Sequence, residues 1–137
     1  MAKFLRLDFL KFFHYILVKK MFHTYLFGNK NKSLYKVGFS QKKRGLEARL
    51  KEVQTGFPYK LEVFCMFETK YGPDIEKALH RTYCMQKRDQ DDEELTGEWF
   101  YLSDQDVINF EKNCIIIDKN YELILNNNTF DDKNKLF

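Results

Sequence analysis

No apolar run in this 137-residue chain is long enough to span a bilayer, which argues against stable membrane insertion. The aromatic-rich start, Phe4 to Phe22, is broken by Arg6, Asp8, Lys11 and His14. It has no small-residue cleavage site, so it does not read as a signal peptide. Cysteine is scarce: Cys65, Cys84 and Cys114 are far apart, odd in number and never in a Cys-x-x-Cys pair. That excludes a disulfide framework and the usual ligand spacing of a zinc site. It predicts a reduced, intracellular, non-secreted protein with buried thiols. Internal repeats are absent, and there is no zinc finger or recognition-helix motif to read bases.

What is present suits one globular domain. The length allows a core without staples. Phenylalanine is used 14 times, and hydrophobic residues at 44% are mixed with charges of both signs. Net charge is only +3, but it is unevenly spread. Residues 1–20 carry five Lys/Arg against Asp8, and residues 30–60 carry nine against Glu47 and Glu52. Residues 61–137 carry nine against seventeen acids. A basic front and an acidic back favour a polyanion on one face, although solvated lysine-rich turns would look the same.

Taken in order, residues 1–20 hold no Gly or Pro and predict a leading helix. Residues 22–27 and 34–39 read as the strands of a hairpin around the tip Gly28-Asn29-Lys30-Asn31-Lys32-Ser33. After a loop at Ser40–Lys43, Gly45 to Gln54 reads as a helix with Leu46, Leu50 and Val53 on one face. Thr55-Gly56-Phe57-Pro58 ends it. Leu61 to Phe67 is a strand expected to be buried on both faces. A second helix runs from Tyr71-Gly72-Pro73-Asp74 to about Gln86, with Ile75, Leu79, Thr82 and Tyr83 inward. Asp89 to Glu94 is a charged loop, read as solvated rather than metal-binding. Gly97 to Leu102 is a short strand in which Trp99 and Phe100 are expected to seal the sheet. Ser103-Asp104 caps a third helix with Val107, Ile108 and Phe110. Residues 114–117 and 121–125 are left as strand or helix pieces, and the Asn/Asp/Lys-rich end reads as a frayed tail.

The expected fold is α+β: a small, mostly antiparallel sheet built on the hairpin and flanked by helices. The expected organisation is an appended helix at 1–20, a domain at 21–113 and a C-terminal extension at 114–137. Strand alternation puts His23, Tyr25 and Phe27 on one face, and Lys36 with Gly38 on one face of the next strand. A phenol and an ammonium then meet on one surface. Arg49, on the first helix, can make two hydrogen bonds to phosphate oxygens. Glu76, neighbour of His80 one turn on, can hold Mg²⁺, which takes few protein ligands. Each also has a duller reading: Tyr25 as packing, Lys36 as an edge-strand gatekeeper, Arg49 paired with Glu47 or Glu52, Glu76 as a helix-start charge, and His80 as a packed ring.

In this order the pieces resemble the GIY-YIG nuclease superfamily. The matching residues are Tyr25, the 11-residue step to Lys36, and Val37-Gly38. Arg49 to Gly56 is similar to the arginine helix of the branch found in phage, large-virus and some fungal open reading frames. Ile75 to His80 is similar to its glutamate helix, and Gly97 to Phe100 to its closing strand. The resemblance covers about residues 22 to 111. It implies Mg²⁺- or Mn²⁺-dependent hydrolysis of DNA phosphodiester bonds. Tyr25, Lys36, Arg49 and Glu76 would be the catalytic residues, Glu76 the metal ligand, and Tyr35 and His80 accessories. Lys42, Lys43, Arg44 and Lys51 would meet DNA. The chain departs from the pattern at Lys36, where a second tyrosine is usual, and at His23-Thr24, where glycine-isoleucine is usual. Those departures motivate two alternatives: an inactive nucleic-acid-binding module of the same fold, and a protein-interaction domain. A second subunit or targeting partner is a further expectation.

Overall fold

The computed structural model describes residues 21–87, 95 and 97–135, with side chains through 127. The expected leading helix and the acidic run Asp89 to Glu94 lie outside the described residues. The expected α+β fold is observed. Strands β1 (Phe22–Asn29), β2 (Leu34–Gln41), β3 (Glu62–Thr69) and β4 (Trp99–Tyr101) form one antiparallel sheet in the order β3-β1-β2-β4. Helix α1 (Leu46–Thr55) follows β2, α2 (Gly72–Thr82) follows β3, and α3 (Asp104–Lys135) follows β4.

The hairpin organises the sheet. Its tip closes through a short 3-10 turn at Lys30–Lys32. The Asn29 side chain accepts a hydrogen bond from Lys32 N at 3.1 Å, and Ser33 takes the left-handed backbone at φ 52°. Asn29 is therefore a cap as well as a turn residue. As a central strand, β1 is buried from His23 to Gly28 because both of its faces are covered.

One face carries the apolar core. Leu26, Tyr35 and Val37 meet Ile75 and Leu79 of α2, Phe110 and Cys114 of α3, and Phe100 of β4. Gly28 faces the Tyr35 ring so closely that a Cβ there would collide with it. The three-residue β4 is pinned from outside its ladder. Lys87 Nζ donates to Gly97 O and to Trp99 O, and sits 3.8 Å from the Phe100 ring centroid. Gln86 O accepts from Tyr101 N at 2.8 Å. Helix α3 starts with a reciprocal cap: Asp106 N donates to Ser103 Oγ, and Ser103 N donates to Asp106 Oδ2.

Several expectations are corrected. Residues 62–69 are not buried on both faces: β3 is an edge strand, and Val63 and Met66 stand open to solvent. Its low polarity hid its position. Cys84 is exposed, while Cys114 is buried and Cys65 partly so. The second helix stops at Thr82 rather than near Gln86. Residues 114–125, and the end expected to fray, continue α3 as one helix to Lys135. Trp99 and Phe100 divide: Phe100 is fully buried in the core, whereas Trp99 is half-buried on the other face. Ile108 on α3 points outward.

Candidate active site

Cross-strand register builds the second face. Tyr25 opposes Gly38, and Phe27 opposes Lys36. Directly opposed residues share a side of the sheet, so these four side chains point together. The Tyr25 ring stacks on Phe27 at 3.9 Å between centroids. Its hydroxyl end lies over Gly38, where a Cβ would collide with the phenolic oxygen. Glycine is required there by close approach, not by an unusual φ.

Helix α1 brings a guanidinium to the phenol. Arg49 Nε donates to Tyr25 Oη at 3.0 Å, and Arg49 Nη1 donates to Glu52 Oε2 at 3.1 Å. Glu52 also pairs with Arg44. A partner on the sheet face, Tyr25, and a partner on its own helix, Glu52, are thus both present for Arg49. Burial raises the Tyr25 pKa above that of free tyrosine, and the Arg49 hydrogen bond and charge pull it partly back. The cation at the hydroxyl is Arg49, and desolvation dominates.

Lys36 has a different partner. Its Nζ lies 2.9 Å from Glu98 Oε2 and 5.6 Å from the Trp99 ring centroid. Glu98 is the residue that motif reading missed. Gly97-Glu98-Trp99-Phe100 is legible as a closing strand, and pairing that strand against Lys36 would have put Glu98 beside the ammonium.

Glu76 arrives from α2, which packs on the core face and reaches this site around a strand edge. The ladder between β2 and β4 ends where Lys36 opposes Trp99. Beyond it, Val37 N donates to Glu98 O at 3.0 Å, and His80 Nε2 lies 2.9 Å from Val37 O. A carbonyl only accepts, so His80 Nε2 carries the proton. The same nitrogen is 3.6 Å from Glu76 Oε1. His80 therefore lies beside Glu76 and borders the site, with its Nε2 hydrogen committed to Val37 O. Glu76 Oε2 is buried with no hydrogen-bond partner among the described residues. Burial, then the Glu98 carboxylate, pushes the Glu76 pKa up to about 7, against the opposing pull of Lys36 and Arg49.

Tyr25, Lys36, Arg49, Glu76, Glu98 and His80 are thereby linked into one cluster. Tyr35 is not in it: it lies in the core on the other face, 5.2 Å edge-to-face from Phe64. Of the residues expected to meet DNA, Lys42 pairs with Glu68 at 2.5 Å and Arg44 with Glu52. Lys43 and Lys51 are exposed and make no ion pair among the described residues. A groove of about 400 Å³, lined by Phe39, Ser40, Gln41, Arg44 and Arg49, opens beside the cluster.

No helix among the described residues is long and apolar enough to cross a membrane. No curated protein and no solved structure matches the chain. A family model matches residues 13–115, starting ahead of the expected boundary at Met21 and taking in every member of the cluster. The chain belongs to the T5orf172 domain family.

Proposed function

We propose that this protein is a divalent-metal-dependent endonuclease that hydrolyses DNA phosphodiester bonds, with a GIY-YIG-like site. The carrying observation is the 3.0 Å hydrogen bond from Arg49 to the buried Tyr25 hydroxyl, beside a glutamate with an unmet buried oxygen. Any buried phenol needs a hydrogen-bond partner, but packing does not call for a guanidinium and two carboxylates, Glu76 and Glu98, gathered beside it. The T5orf172 family, one of phage and related endonuclease-like proteins, supports a nucleic-acid-directed role. Three free thiols agree with action inside the cell.

The donor set suits a hard cation. Glu76 Oε2 lacks a donor, and the Glu98 carboxylate raises rather than relieves its charge burden. No group of three His, Cys, Asp or Glu able to share an ion occurs among the described residues. Mg²⁺ or Mn²⁺, which takes few protein ligands, would be held by Glu76 and otherwise by water. Once bound, such an ion supplies neutralisation of phosphate charge and a more acidic water.

The chain's own groups divide the remaining work. Arg49 turns its free N–H groups toward non-bridging phosphate oxygens, where charge grows in the transition state. Tyr25 is protonated at neutral pH when no substrate or ion is bound. It accepts from Arg49, so its own hydrogen is free to orient a water or a phosphate oxygen. Lys36, held by Glu98, contributes a fixed positive charge in the place of a second tyrosine. The groove beside Arg49 gives the flanking backbone a basic wall.

The Lys36–Glu98 ion pair also motivates a second reading, an inactive DNA-binding module, because it partly neutralises the one cation that replaces a tyrosine. The test is incubation of plasmid, single-stranded and branched DNA with Mg²⁺ or Mn²⁺, beside Glu76→Gln. Metal-dependent nicking that the variant loses supports the endonuclease. Salt-sensitive binding without nicking supports the module. Failure to bind any DNA leaves a protein-interaction domain.

A further inference from the structure

The site face does not end at Lys36. The Trp99 ring, next to the Lys36 ammonium, stacks on Phe57 at 4.4 Å and 10°. Phe57 meets Tyr59 edge-on at 5.6 Å, and Lys32 Nζ sits 4.8 Å from the Tyr59 ring centroid. Three rings and two ammonium groups thus form an unbroken row from the cluster to the hairpin tip. Trp99 and Phe57 are half-buried, and Tyr59 is 40% exposed.

Two side-chain amides hold this row in place. Gln54 Nε2 donates to Phe57 O at 3.2 Å and to Tyr59 O at 2.7 Å, while Gln54 Oε1 accepts from Leu61 N at 2.7 Å. Asn29 Nδ2 donates to Lys60 O at 2.9 Å, tying the ring-bearing loop to the tip that carries Lys32. The loop is therefore fixed with an exposed tyrosine that the core does not need. Packing alone accounts for the Phe57–Trp99 stack, which closes the sheet end. It does not account for a clamped, solvent-facing Tyr59 under a lysine.

We propose that the row Trp99–Phe57–Tyr59, flanked by Lys36 and Lys32, is a stacking platform for unpaired bases of a DNA strand leading into the site. Half-open rings interleaved with cations fit a flexible strand, whose bases offer faces and whose phosphates offer charge. A duplex hides its base faces and can use only the lysines. The substrate this implies is DNA with a single-stranded segment beside the cleaved bond. The proposal rests on the DNA reading of the site but not on cleavage.

Trp99 is the chain's lone tryptophan, so its fluorescence reports directly on the platform. The full chain, without metal, is titrated with an oligothymidylate and with a blunt duplex of equal length. The strand should quench Trp99 and the duplex should not. Tyr59→Ala should weaken strand binding roughly tenfold, about one lost base stack, while leaving duplex binding unchanged. Tyr59→Phe should restore it. Equal quenching by both DNAs, no quenching on binding, or equal weakening of both by Tyr59→Ala overturns the platform and leaves the nuclease reading standing. Strand-selective quenching in a protein that cuts nothing upholds the platform and overturns the nuclease. Absence of all DNA binding overturns both.

Discussion

The hairpin carries two buried tyrosines, one on each face of the sheet, and they meet opposite surroundings. Tyr35 lies among Leu26, Val37, Ile75 and Phe100, and its ring fills space above Gly28. Tyr25 is equally buried, but its hydroxyl meets Arg49 and its ring is seated over Gly38. Burial alone therefore does not separate structure from chemistry. The partners do: apolar side chains on one face, and a guanidinium, an ammonium and two carboxylates on the other.

The sharpest way to break that contrast is to remove single groups from each face. Glu76→Gln and Tyr25→Phe should each lower metal-dependent cleavage on the order of 10²–10³-fold or more, whereas Tyr35→Phe should leave it intact. A nicking assay on supercoiled plasmid decides, and equal losses from both tyrosine variants would erase the distinction. Phe100→Ala should have the largest effect on the core face. Truncating a buried phenylalanine costs about 3–5 kcal/mol, to be read from urea denaturation. Gly38→Ala sits on the boundary. It forces the Tyr25 ring aside, so cleavage should fall about 10²-fold from misplacement, with a stability loss of about 1–3 kcal/mol from overpacking.

A pH experiment separates the faces without touching the core. The Glu76 pKa is raised from its ordinary value to about 7. Between the unfolded value and about 7, the folded state holds a proton that the unfolded state has released. Stability of the metal-free protein should therefore be fullest below the ordinary glutamate range and decline as pH rises through about 7. Thermal melts from pH 4 to 8 should show the decline, and Glu76→Gln should flatten it. The smallest effects belong to the surface lysines. Lys43→Ala and Lys51→Ala should each reduce the salt slope of DNA binding by roughly one. Lys42→Ala and Arg44→Ala should change it less, because Glu68 and Glu52 already partner them.

Much of this arrangement was legible in the chain. Alternation placed Tyr25 and Lys36 on one side, and the turn chemistry of Gly28 to Ser33 placed the hairpin. What alternation does not specify is which groups meet at the far end of a side chain. It brought Lys36 to the right face, yet the nearest cation to the Tyr25 hydroxyl comes from α1. Glu98 was hidden because it precedes a strand of only three residues, whose pairing depends on Lys87 and Gln86 rather than on its own pattern. The apolar run of β3 could not reveal an edge position, since hydrophobicity reports burial of some face but not the order of strands. The tail was misread because Asn, Asp and Lys dominate its composition, while their helical continuity follows from α3 as a whole.

The edge of β2 has one more consequence. Val37 gives its N–H to Glu98 O and its carbonyl to His80, Lys36 grows from the same strand, and Gly38 seats Tyr25. Three consecutive residues, Lys36, Val37 and Gly38, are thus the common datum from which contributions of α2, β1 and the β4 entrance are all measured. Insertions in the connecting segments leave that datum untouched. One residue gained or lost between Leu34 and Ser40 would put every member of the site out of step at once.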